Sequence, residues 1–248
     1  MQANTIDEVI RHLDRIIQDS IQRKSRMGYF ACLYRKMTLA VKEGISKGAF
    51  EDGPRMERLD VLFANRYLDA YSCLQNSTAP THSWKKAFDA TAQPYTVIQH
   101  LLLGMNAHIN LDLGIAAALA GKGKDIHLLK NDFNRINDVI GSLINSVQSD
   151  LEDICWPMRM VRYVDNSSKD AVINFSIKIA RDTAWANAVA LSMQQETGWP
   201  SYYSALDNKI ALVAQNIITP KLSQSILLRT VQLFEPEDIS RIIGFLRD

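Results

Sequence analysis

The chain reads as an all-α protein, a single-domain multi-helix bundle built round one long buried central helix at about residues 94–121. Three observations predict this. Apolar residues recur at three- and four-residue spacing along most of the 248 residues, and the alternation expected of strands is nearly absent. Residues 94–121, PYTVIQHLLLGMNAHINLDLGIAAALAG, are apolar on nearly every side yet carry polar residues at regular intervals. A helix that is hydrophobic all round is normally interior.

The first helix begins near Thr5, which caps it with Asp7 and Glu8 in the first turn, and Val9, Ile10, Leu13, Ile16 and Ile17 supply its apolar stripe. Gly28 interrupts the pattern, and a second helix follows over about 29–46, ended by Gly48 and the loop through Gly53 and Pro54. A third covers about 55–74. NSTAPTHS is a loop, and Ser83 caps a short helix over 84–91. Pro94 then suits the first turn of the central helix and Gly121 with Gly123 its end, giving a rod of roughly 40 Å. GKGKD is short, so the helix after it, about 126–156, folds back beside the rod until Pro157 stops it. Ser168 or Asp170 starts a further helix with Ile173, Ile177, Ala180, Ala184 and Val189 inward, and three shorter helices at about 202–218, 222–234 and 237–246 complete the chain. No repeat or linker divides it, so 1–248 is read as one domain, with the helices of 201–247 packed on the rest.

Composition narrows the function. Net charge is +1 with both signs interspersed, so no broad basic surface is available for nucleic acid. The start has acidic residues and helical periodicity in place of a basic head and apolar run, so no secretory signal is expected. The rod's two His, two Asn and one Asp would be expensive in hydrocarbon, so no transmembrane segment is expected either. Three cysteines without C-x-x-C spacing predict a reducing, cytoplasmic setting. A small molecule is the partner these features allow, and oligomeric state is left open.

On the rod, His100, Gly104, His108 and Asp112 fall at successive four-residue steps and form one slowly winding ribbon, while Gln99, Asn106 and Asn110 fall on a second, roughly opposite. His108 and Asp112 share a face, so they can hold one metal or bond each other. Gly104 leaves room for a ligand or a side chain against the backbone. His108, Asp112, His100 and Asp132 are the candidate metal ligands, with Asp69 as an alternative to complete the shell. Arg66, Asp69, Asn106 and Asn110 are the candidate ligand-binding residues. A divalent metal such as zinc would turn a bound water into a nucleophile there.

The run Leu103-Gly104-Met105-Asn106-Ala107-His108-Ile109-Asn110, followed by Asp112-Leu113, resembles the signature of a bacterial family of uncharacterised helical domains. The likeness extends to Asn65-Arg66-Tyr67, Trp84, Asp132, Asn137, Arg181 and Trp185, about residues 60–190, and it implies a helical domain without an established activity. A fainter likeness, to the zinc-dependent phospholipase C and nuclease group, rests on the His108-x-x-x-Asp112 pair and implies metal-dependent hydrolysis. Three readings therefore stand: a metal-dependent hydrolase; a binding or scaffold protein in which these residues form a closed structural network; and a hydrophobic pocket for a small molecule or lipid.

Overall fold

The computed structural model describes residues 1–136, 138, 139, 150, 151, 154 and 177–247. Among them there are helices and no strands. The all-α expectation holds. Helix α1 is Ile6–Gln22, α2 Met27–Ser46, α3 Gly53–Gln75, α4 His82–Ala90, α5 Val97–Met105 and α6 Leu113–Gly121, with a π-helical segment, Asn106–Asp112, joining α5 to α6. A 3₁₀ turn, Ile126–Leu129, leads into a helical stretch at 130–136, and α7 Ile177–Ser192, α8 Trp199–Ile218, α9 Leu222–Phe234 and α10 Ile239–Arg247 follow.

Several ends are set by residues beside them. Thr5 caps α1, its side chain accepting from Glu8 N, and Asp52 caps α3 by accepting from Arg55 N. At the end of α2, Gly48 takes φ +66°, and Gly48 N and Ala49 N donate to the carbonyls of Ile45 and Gly44. This is a Schellman closure, which requires a left-handed residue at that point. Helix α5 starts later than Pro94 suggests, because Thr96 and Gln99 form a reciprocal capping box.

Other ends depend on distant residues. Ser83 lies inside α4, not at its cap; Asp207 of α8 accepts from His82 N, Ser83 N and Ser83 Oγ, supplying the cap from across the bundle. Glu235, after α9, likewise accepts from Val97 N at the start of the rod. Asp132, whose side chain is fully buried, accepts from Glu51 N, Asp52 N and Arg55 Nη2 and fixes the α2–α3 connection.

The rod Val97–Gly121 is 25 residues long and apolar enough to cross a membrane, but 78% of its most apolar window is buried by its neighbours. Its first half lies in a core shared with α1–α4 and α10, and its second half in another shared with α3, α7 and α8. Close approach is built in by glycine: a Cβ at Gly114 would stand 2.8 Å from the carbonyl oxygen of Ala184 on α7. Where a helix is expected from 126, the chain opens with the 3₁₀ turn Ile126–Leu129 against α6 and is α-helical only from 130. The later part of that helix, Pro157 and the cap at Ser168 or Asp170 lie outside the described residues.

Candidate functional site

The π-helical segment decides what the rod's polar residues can meet. In an α-helix His100, Gly104, His108 and Asp112 would wind as one ribbon. Wider turns over 106–112 change the rotation between them, and an aromatic wedge parts the two histidines. That wedge is Phe30 of α2. A Cβ on Gly104 would lie 2.4 Å from its ring, so the space the glycine leaves is taken by a side chain.

On one side of Phe30 stand His108 and Asp112, both buried. Asp112 is engaged on both oxygens: Trp84 Nε1–H donates to Oδ2 at 2.8 Å, Arg66 Nε–H to Oδ1 at 3.3 Å, and His108 Nδ1 lies 3.3 Å from Oδ2. With a guanidinium and an indole N–H already on it, the carboxylate acts as acceptor, so Nδ1 carries the imidazole proton. Nε2 is then a bare acceptor, with no hydrogen-bond partner among the described residues. Phe63 stacks on the ring with centroids 3.6 Å apart, and Tyr34 meets its edge at 4.4 Å. Burial holds the His108 pKa below the ordinary imidazole value, although Asp112 pulls it up. The ring is therefore neutral at pH 7.

His108 lines a cavity of about 90 Å³ between α2, α3, α7 and the π-helical segment. Its walls are mainly apolar, among them Leu33, Met37, Val41, Leu59 and Met105. Two further lining residues carry a buried side-chain oxygen with no hydrogen-bond partner among the described residues: Tyr34 Oη and Asp60 Oδ2. Burial, reinforced by the Glu57 charge, pushes the Asp60 carboxyl up to about 7. Burial, with the Asp60 charge next, raises the Tyr34 phenol well above its usual value. Arg181 also lines the cavity; its Nη2 donates to the Phe133 carbonyl at 2.6 Å and its guanidinium lies 4.5 Å over the Phe133 ring.

On the other side of Phe30 lies His100. Among the described residues neither of its ring nitrogens meets a hydrogen-bond partner, Tyr29 packs against it edge-on at 5.8 Å, and burial lowers its pKa to about 4. The carbonyls of Tyr95 and Gln93 favour its charged form without reaching bonding geometry.

The sequence-derived candidates thus fall into separate surroundings. His108, Asp112 and Arg66 come together. His100 sits apart, Asp132 serves the α2–α3 connection, and Asp69 is exposed, bonded to Gln2. Among the described residues no three His, Cys, Asp or Glu side chains gather round one point. Asn106 and Asn110 face α8: Asn106 Nδ2 donates to the Ile210 carbonyl and Asn110 Nδ2 to Asn106 Oδ1. Tyr34, Asp60 and the bonding role of Trp84 were not singled out from sequence. Asp60 had a signal, a carboxylate between Leu59 and Val61 on a helix where its neighbours are buried.

The chain belongs to a family of unknown function, DUF5995, whose model matches residues 6–220. This agrees with the resemblance carried by the run 103–113. Helices α9 and α10 lie beyond the matched span. No curated protein and no solved structure matches the chain.

Proposed function

Within that family, we propose that this protein binds a small, largely apolar molecule with a hydrogen-bonding head in the cavity beside His108. One observation carries the reading: three buried polar atoms without partners among the described residues, Tyr34 Oη, Asp60 Oδ2 and His108 Nε2, belong to side chains of a single apolar cavity. Orphaned buried polar groups are destabilising by about 1–3 kcal/mol each, and most native ones are satisfied. A bound molecule that satisfies three at once removes that penalty. Pockets of this composition, apolar walls with a few polar groups, are what small ligands occupy.

The two other readings draw on different features. The three-partner bonding of Asp112 supports a structural role for that residue, in line with a scaffold. Hydrolysis at a metal would have to use His108 Nε2 as the imidazole donor, because Nδ1 and both Asp112 oxygens are engaged. Zinc retained in stoichiometric amount by purified protein, and lost in His108→Ala with the fold intact, would favour that reading over ours.

Xenon tests the pocket directly, since it enters apolar cavities without needing a particular head group. The methyl signals of Met37 and Met105, both in the lining, should shift under xenon and stop shifting in Val41→Phe, which fills the space. Unmoved methyls in the unmodified protein, under both xenon and dissolved n-butanol, would reject the pocket.

A further inference from the structure

Resting on that reading, we infer that the head group the cavity recognises is a primary ammonium: the ligand class is a short-chain alkylamine. An ammonium has three N–H donors and no acceptor. His108 Nε2 is an acceptor, because Nδ1 holds the proton against Asp112. Asp60 Oδ2 and Tyr34 Oη each offer lone pairs and have no partner among the described residues. His108 Nε2 accepts only, Asp60 accepts when ionised, and the Tyr34 hydroxyl accepts as well as donates, so residues of one cavity can take up the donors of an ammonium.

Charge selects ammonium over hydroxyl. A buried carboxylate with no counter-ion bonded to it among the described residues is the most unfavourable of the three orphans, and a cation relieves it where an alcohol does not. A carboxylate head would confront Asp60.

The groups facing Asp60 act in both directions. Glu57 on its own helix and a cationic ligand work against each other on its proton; Tyr34 on α2 and neutral His108 on the rod bring no charge. Arg181 on α7 is the cation among the described lining residues, and its guanidinium is turned to the Phe133 carbonyl and ring. Size sets the tail. A cavity of about 150 Å³ takes benzene, so one of about 90 Å³ suits a butyl chain better than an aromatic ring.

The test compares three probes on one tail, n-butylamine hydrochloride, n-butanol and sodium butyrate, titrated at pH 8 while the Met37 and Met105 methyls are followed by NMR. Butylammonium should bind at least about tenfold more tightly than butanol, and butyrate more weakly than either. Asp60→Asn should erase the ammonium preference, bringing butylammonium and butanol to within about twofold of each other. In the unmodified protein, ammonium affinity should fall by up to about tenfold per pH unit below pH 7, where Asp60 must lose a proton to bind it. That titration decides the matter even if Asp60→Asn fails to fold. Butanol binding as tightly as butylammonium, or ammonium affinity that stays flat below pH 7, would overturn the ammonium assignment and leave the pocket standing. If none of the three probes moves either methyl, pocket and assignment fall together.

Discussion

Asp112 and Asp60 are both buried carboxylates, on helices that pack against each other, and they are treated in opposite ways. Asp112 has an indole, a guanidinium and an imidazole round it. Asp60 has an oxygen with no partner among the described residues, beside a cavity. The first arrangement holds α3, α4 and the rod in register. The second leaves interaction energy unused in the folded protein, available to something that arrives later. Burial alone does not separate structural from functional carboxylates; the state of their partners does.

Breaking the satisfied side should produce the largest effect. Asp112→Ala leaves Trp84, Arg66 and His108 Nδ1 without their acceptor and should lower stability by about 3–5 kcal/mol, nearer the lower figure because the Arg66 side chain is 30% exposed and water can reach it. Urea denaturation measures this, and a loss under about 1 kcal/mol would mean that the network contributes little.

The other carboxylate should respond through pH. Its folded pKa of about 7 lies above the ordinary 3.8, so the folded chain holds this proton more tightly than the unfolded chain does. The associated stability is full below about pH 4 and lost as pH rises to about 7. Asp60→Asn should therefore gain on the unmodified protein across that window, by an amount on the order of 3–4 kcal/mol, and level off above it. Paired denaturation curves at pH 4.5, 6 and 7.5 would show it; a constant gap would mean Asp60 does not titrate there.

His100 sharpens the contrast from the far side of Phe30, because its sign is opposite. Its folded pKa of about 4 lies below 6.5. The stability tied to the neutral ring is present above about pH 6.5 and is lost as pH falls toward 4, on the order of 3 kcal/mol. His100→Leu should flatten that acid limb, and an unchanged limb would assign it to other groups. The smallest effect belongs to a purely local contact: Thr96→Ala, which removes half of the capping box, should lower stability by about 1 kcal/mol and leave ligand binding and both pH limbs unchanged.

Much of the fold was readable along the chain. Thr5, Gly48 and the periodicity of α1, α9 and α10 act within a turn or two of where they stand, so their signals survive in the sequence. The pairing of His108 with Asp112 was readable for the same reason, since four residues bring both to one face. His100 was not separable from them by spacing, because the parting depends on π-helical turns and on Phe30, 70 residues away in sequence.

The sequence by itself determined the helices, the buried rod and the His108–Asp112 contact, because hydrophobic periodicity and short-range hydrogen bonds are encoded locally. Only the tertiary structure decided which buried polar groups were answered. Asp207 caps a helix 125 residues before it, Trp84 and Arg66 converge on Asp112 from two helices, and Asp60 meets an apolar wall. Whether a polar group finds its partner depends on what packing brings opposite it, and that partner is set by the assembled bundle.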